Sequence, residues 1–170
     1  MRRSRQITDV TREKDWWAWQ LKANAETDPA KREEIFRAGL EDFPDSAELT
    51  GNFANFLKDT RKDDDEAQWL YLRACELDPD DALNLGNFAN FLWENRQNYD
   101  RAERLYREAL RLAPNHAGHT ANFAEFIEKI RGDYSKANLL YRLALELDPE
   151  EEWSKKEYAR FLREHPEFIK

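Results

Sequence analysis

The chain has 170 residues, enough for one domain or a short stack of repeats. Its 36% of charged residues leave a net charge of −8, which repels phosphate backbones and argues against sequence-independent nucleic-acid binding. Val10 is the only valine, Gly (5) and Pro (6) are sparse, and Glu, Leu, Ala, Arg and Lys dominate, which is the composition of an all-α protein.

Cys75 is the only cysteine, so no intramolecular disulfide can form, as suits a reducing compartment. No apolar stretch follows the basic start, and no window approaches 18 uncharged apolar residues. A cytoplasmic protein with no membrane partner is the expectation.

Residues 1–11 carry the basic cluster Arg2-Arg3-Ser4-Arg5 and read as a flexible tail. Residues 12–45 read as an irregular helix pair that caps the fold, with Trp16, Trp17 and Trp19 as its apolar surface. From residue 46 a 35-residue period governs the chain. It relates Phe53, Phe88, Phe123 and Tyr158, and likewise Phe56, Phe91, Phe126 and Phe161. It relates Tyr71, Tyr106 and Tyr141, the alanines Ala67, Ala102 and Ala137, and the prolines Pro44, Pro79, Pro114 and Pro149.

Each unit reads as two helices. Leu85, Phe88, Ala89 and Leu92 stand at i, i+3, i+4 and i+7, and Ala102, Leu105, Tyr106 and Ala109 repeat the pattern after a polar stretch. Asp65, Asp100 and Ser135 are the expected N-caps of the second helices, and Ser46, Asp81 and His116 stand at the starts of the first ones. Proline ends each unit because it cannot continue a helix. Three such units fill residues 46–150, and a single capping helix fills 151–170.

The series Ala82, Leu85, Phe88, Ala89 and Leu92, then Ala102, Tyr106, Ala109 and Pro114, resembles the tetratricopeptide repeat. The resemblance covers about residues 46–164. One extra residue between the helices makes the period 35 where the family has 34. It implies a right-handed superhelix, a solenoid of antiparallel helix pairs with about nine helices. It also implies a protein-interaction scaffold, not an enzyme, that holds a peptide or protein segment on a concave groove lined by the first helices.

On that face the candidate binding residues are Asn52, Asn55, Asn87, Asn90, Trp93, Asn122, Glu125, Lys129 and Arg160. Asn52, Asn87 and Asn122 form a ladder of amides, each able to donate to and accept from a peptide backbone. Gly51 and Gly86 precede two of them and are expected to leave the groove floor open. Trp93 has polar equivalents in the other units and is expected to be exposed, a candidate hot spot. Lysine is missing where a clamp for an acidic tail would need it.

The remaining chemistry is thin. His116 and His119 lack the carboxylate spacing of a zinc motif, and Cys75 reads as a small core residue. No cofactor, metal or catalytic residue is expected. A homo-oligomer formed through the terminal helices is the alternative function.

Overall fold

The computed structural model describes residues 16–169. The tail at 1–11 and Lys170 lie outside them. Among the described residues the regular elements are helical: α1 (Trp16–Ala25), α2 (Pro29–Asp42), α3 (Ala47–Phe56), α4 (Asp64–Leu77), α5 (Ala82–Glu94), α6 (Tyr99–Leu112), α7 (Ala117–Phe126), α8 (Tyr134–Leu147) and α9 (Glu152–Glu164). A short 3₁₀ turn, Pro166–Phe168, follows. The all-α helical-repeat class is as the sequence predicts.

The helices gather into two compact units, one ending at Leu77 and one beginning at Asp78. In the first, α1 pairs with α2 and α3 with α4. In the second, α5 pairs with α6, α7 with α8, and α9 packs on α8. Within each unit the first helices of successive pairs also touch: α1 meets α3, α5 meets α7, and α7 meets α9. The first-helix faces therefore lie side by side.

Caps fix where each helix starts. Ser46, Asp81, His116 and Glu151, each 35 residues apart, accept backbone N–H bonds at the first helices. The second helices start two residues earlier than the sequence reading placed them. Asp63, Asn98 and Asp133 accept the N–H groups of Glu66, Arg101 and Lys136. Asp28 does the same for Ala30 ahead of α2, with Pro29 at the first helical position. Asp65, Asp100 and Ser135 thus sit inside the first turn.

The extra residue of the 35-residue period is absorbed at the end of each first helix. α3 and α7 pass into single π-helical turns, Leu57–Arg61 and Ile127–Arg131. Lys62, Gln97 and Gly132, again 35 apart, take left-handed backbone angles with φ of 58°, 54° and 65°. Asp63 and Asn98 then donate N–H bonds to the carbonyls six residues back, of Leu57 and Leu92, one residue wider than the usual closure of a helix C-terminus. Only the third site uses glycine, the residue for which this conformation carries no Cβ penalty. Gln97→Gly is accordingly expected to stabilise the chain by about 0.5–1 kcal/mol, and Gly132→Ala to destabilise it by about 1 kcal/mol. Urea midpoints of the two variants check this.

The core is built of rings that couple one pair to the next. Phe36 of α2 lies 5.2 Å from Phe53 and 5.5 Å from Phe56 of α3. Tyr106 of α6 stands in the same relation to Phe123 and Phe126, at 5.2 and 5.7 Å. Tyr141 of α8 repeats it with Tyr158 and Phe161, at 5.8 and 5.4 Å. Such offset ring pairs add to plain apolar burial. Ala67, Ala74, Ala102, Ala109, Ala137 and Ala144 are fully buried and let the paired helices approach closely. Cys75 is only half-buried.

Candidate functional site

The phenol hydroxyls of Tyr71, Tyr106 and Tyr141 organise the first-helix face. The three side chains are fully buried. A buried hydroxyl needs a partner, and each finds it on the first helix of its own pair. Tyr71 donates to Oδ1 of Asn55 at 2.6 Å. Tyr106 donates to Oδ1 of Asn90 and accepts from Nε1 of Trp93 at 2.9 Å. Tyr141 donates to Oε2 of Glu128 at 2.9 Å.

Asn55 and Asn90 are therefore tied to the core through one amide oxygen, which leaves Nδ2 of each as the outward donor. Trp93 is half-buried, in contrast to the exposed residue the sequence reading expected. Its indole donates to Tyr106 and stands edge-on to Phe126, with centroids 6.1 Å apart and planes at 77°. Its equivalent Glu128 also meets a buried tyrosine, but as the acceptor where Trp93 is the donor.

Asn52, Asn87 and Asn122 are half-exposed. The open floor expected at Gly86 is not open. Gly86 is buried, and a Cβ there would collide with the buried His119 ring. Glycine is needed at this position to admit that ring.

The cationic end of the face is neutralised. Arg160 donates to both oxygens of Glu128, at 2.8 and 2.7 Å, to Glu157 at 2.9 Å and to Glu164 at 2.8 Å. Lys129 pairs with Glu125. Burial pushes the carboxyl of Glu128 up, but the bonds from Arg160 and Tyr141 outweigh it and hold the group below the usual carboxylate range. The same Glu128 bonds raise the guanidinium of Arg160. Burial pushes the Tyr106 hydroxyl well above its ordinary value, and Glu94 and Glu125 add to the shift. Beside Glu94, Glu125, Glu128, Glu157 and Glu164, the cations Lys129 and Arg160 are thus already engaged in ion pairs.

Glu128, Glu164 and His165 bring three potential metal ligands within 4.8 Å. Arg160 already bridges the two carboxylates, and a guanidinium at their centre opposes a second cation. His116 caps α7, its Nδ1 accepting from the N–H of His119 at 3.1 Å. No described helix is long and apolar enough to cross a membrane.

In the N-terminal unit, Asn52 and Asn55 line a cavity of about 260 Å³ together with Gln20 of α1 and Arg32 of α2. The sequence reading gave α1 only a sealing role and did not anticipate this cavity.

The tetratricopeptide repeat family model matches residues 83–116, which span α5 and α6. PilF of Pseudomonas aeruginosa has a similar structure, with a TM-score of 0.79 and 21% identity over 93% of this chain and 72% of that one. MamA from Desulfovibrio magneticus gives 0.70 and 14%, over 92% and 86% of the two chains. The first tetratricopeptide domain of Spaghetti (RPAP3), solved bound to an HSP90 peptide, gives 0.62 and 18%, over 71% and 94%. At these identities the likeness is one of fold. No curated protein matches the sequence.

Proposed function

We propose that this chain, a tetratricopeptide-repeat protein by its repeat at residues 83–116 and by its fold, is a non-enzymatic scaffold that holds an extended protein segment on its first-helix faces. The carrying observation is the division of labour among the asparagines. Asn55 and Asn90 are bound to buried tyrosines, while the equally half-exposed Asn87 and Asn122, one 35-residue step apart in the second unit, carry no such tie. An amide in that position can pair with a main-chain N–H and C=O at once. The relative solved with an HSP90 peptide lends support from a protein of the same fold. Lys129 and Arg160 serve the partner only as members of their ion pairs. The cytoplasm is the proposed compartment.

Two variants separate binding from folding. Asn87→Ala with Asn122→Ala is expected to leave the melting temperature unchanged and to weaken a peptide selected from a display library by about ten-fold or more. Asn90→Ala is expected to destabilise the chain by about 1–3 kcal/mol by stranding the Tyr106 hydroxyl. Anisotropy and thermal melts read the two effects. Unchanged binding by the double variant would overturn the proposal.

A second reading is self-association through the end helices. Trp17 and Leu21 on α1 are 51% and 58% exposed, and Ile169, just beyond α9, is 61% exposed. Light scattering across a concentration series distinguishes a monomer from such an assembly.

A further inference from the structure

The first turn of α7 is built differently from those of the other repeat helices. It reads Ala117, Gly118, His119 and Thr120, with glycine where α3, α5 and α9 have Glu48, Leu83 and Trp153. A Cβ on Gly118 would meet only the His116 ring, at 3.4 Å. Glycine is a poor helix former, so the turn has little stability of its own. Two histidines hold it. Nδ1 of His116 accepts the N–H of His119 at 3.1 Å, and the buried His119 ring fills the space left by Gly86 of α5. In α3 the same two places are taken by Ser46 and Leu49, neither of which takes up a proton.

Both contacts require neutral rings. A proton on Nδ1 of His116 removes the lone pair that caps the turn. A proton on His119 puts a charge where neither ring nitrogen has a hydrogen-bond partner. With both protonated, two like charges would stack with centroids 3.9 Å apart. Of the charged groups described on α5, α6, α7 and α8, His116 alone acts on His119. Helix α5 turns Gly86 to the ring, its cap Asp81 is bonded to Leu83 and Asn84, and Lys136 of α8 lies over Phe123.

The same ring spaces the exposed amides. It packs from α7 onto Gly86, the residue before Asn87, and Asn122 follows it by about one turn. In an α-helix the N–H of Asn122 bonds to the carbonyl of Gly118. Unwinding residues 117–120 therefore leaves Asn122 at a free helix end and removes the contact that sets its distance from Asn87. We propose that mild acid unwinds the first turn of α7 and so releases the partner segment held at Asn87 and Asn122. The release rests on the reading of the first-helix face as the partner-binding face, and the unwinding does not.

The test uses the full chain. Amide exchange at residues 119–122 is followed by NMR at pH 7 and pH 5 and corrected for intrinsic rates. Burial, and secondarily His116, lowers the His119 pKa from 6.5 to about 4, so the opening constant is expected to rise about twenty-fold. The rise is expected to be insensitive to urea at about 1 M, because one turn exposes little surface. His116→Ser with His119→Leu, the pair found in α3, is expected to abolish the rise. His119→Leu alone, which keeps the His116 cap, is expected to remove most of it. The display-selected peptide is expected to bind wild type about three-fold or more weakly at pH 5 than at pH 7, and the double variant equally at both. An equal rise in the variants, or a urea dependence matching that of the core amides of α5 and α8, overturns the unwinding. Unchanged affinity of wild type at pH 5 overturns the release. Binding at pH 7 that survives Asn87→Ala with Asn122→Ala counts against the face reading and leaves the unwinding standing.

Discussion

Arg160→Ala is expected to destabilise the chain by about 3 kcal/mol, far more than the loss of any other arginine ion pair on its surface. The reason is the partner left behind. The Glu128 side chain is only 5% exposed and accepts from Tyr141 as well as from Arg160. Removing the cation strands a buried carboxylate, and such a loss is typically several kcal/mol. Arg131 provides the contrast. It pairs with Asp100 and Glu103 at 2.7 Å each, but Asp100 is 82% exposed, and an exposed pair is worth about 1 kcal/mol or less. Removing both charges with Glu128→Gln and Arg160→Met is expected to recover most of the loss, because a neutral amide can still accept from Tyr141. Denaturant midpoints at constant slope measure all three variants. A loss below 1 kcal/mol for Arg160→Ala would mean that the network behaves as a surface ion pair.

Mild acid is expected to destabilise the chain through His119. The ring is 3% exposed, lies on the Cα of Gly86 and stacks on His116 with centroids 3.9 Å apart. Neither ring nitrogen has a hydrogen-bond partner. Burial, and secondarily the neighbouring His116, lowers its pKa from 6.5 to about 4. The unfolded chain then takes up a proton between these values that the folded chain refuses. The folded state keeps its full stability above pH about 6.5 and loses it as pH falls to about 4, by roughly 3 kcal/mol in all. His119→Leu places there the residue that occupies the equivalent buried position as Leu49. Relative to wild type, that variant is expected to gain about 2 kcal/mol between pH 7 and pH 5. Denaturant titrations at the two pH values check it, and parallel pH dependence in both proteins would exclude His119 as the source.

The period made the fold legible because it rests on shape. A ring at Phe53, Phe88 or Phe123 and an alanine at Ala67, Ala102 or Ala137 answer to packing, and packing repeats when the helices repeat. The second-helix caps stand on the same 35-residue step, at Asp28, Asp63, Asn98 and Asp133. The site is less legible because each buried phenol is satisfied by a different set of partners. Amide, indole and carboxylate all satisfy one buried phenol, so Trp93 and Glu128 looked unrelated. Gly86 likewise looked like an open floor, since nothing local to it reveals the histidine 33 residues later that fills the space. The cavity at Asn52 and Asn55 depended on Gln20 in α1, where the sequence pattern is least regular.

The three solutions to the buried phenol also fix the order of the units. In α3 and α5 the partner is neutral, so either helix is self-sufficient beneath its tyrosine. In the π-helical turn after α7 the partner is an anion, Glu128, whose counter-charge comes from Arg160 on α9. A copy of α7 and α8 grafted anywhere else would carry Glu128 without its arginine. The pair is thus committed to standing next to the last helix, and duplication or shuffling of units is open to the earlier pairs but closed to this one. A chain whose period advertises interchangeable parts carries one part that has an address.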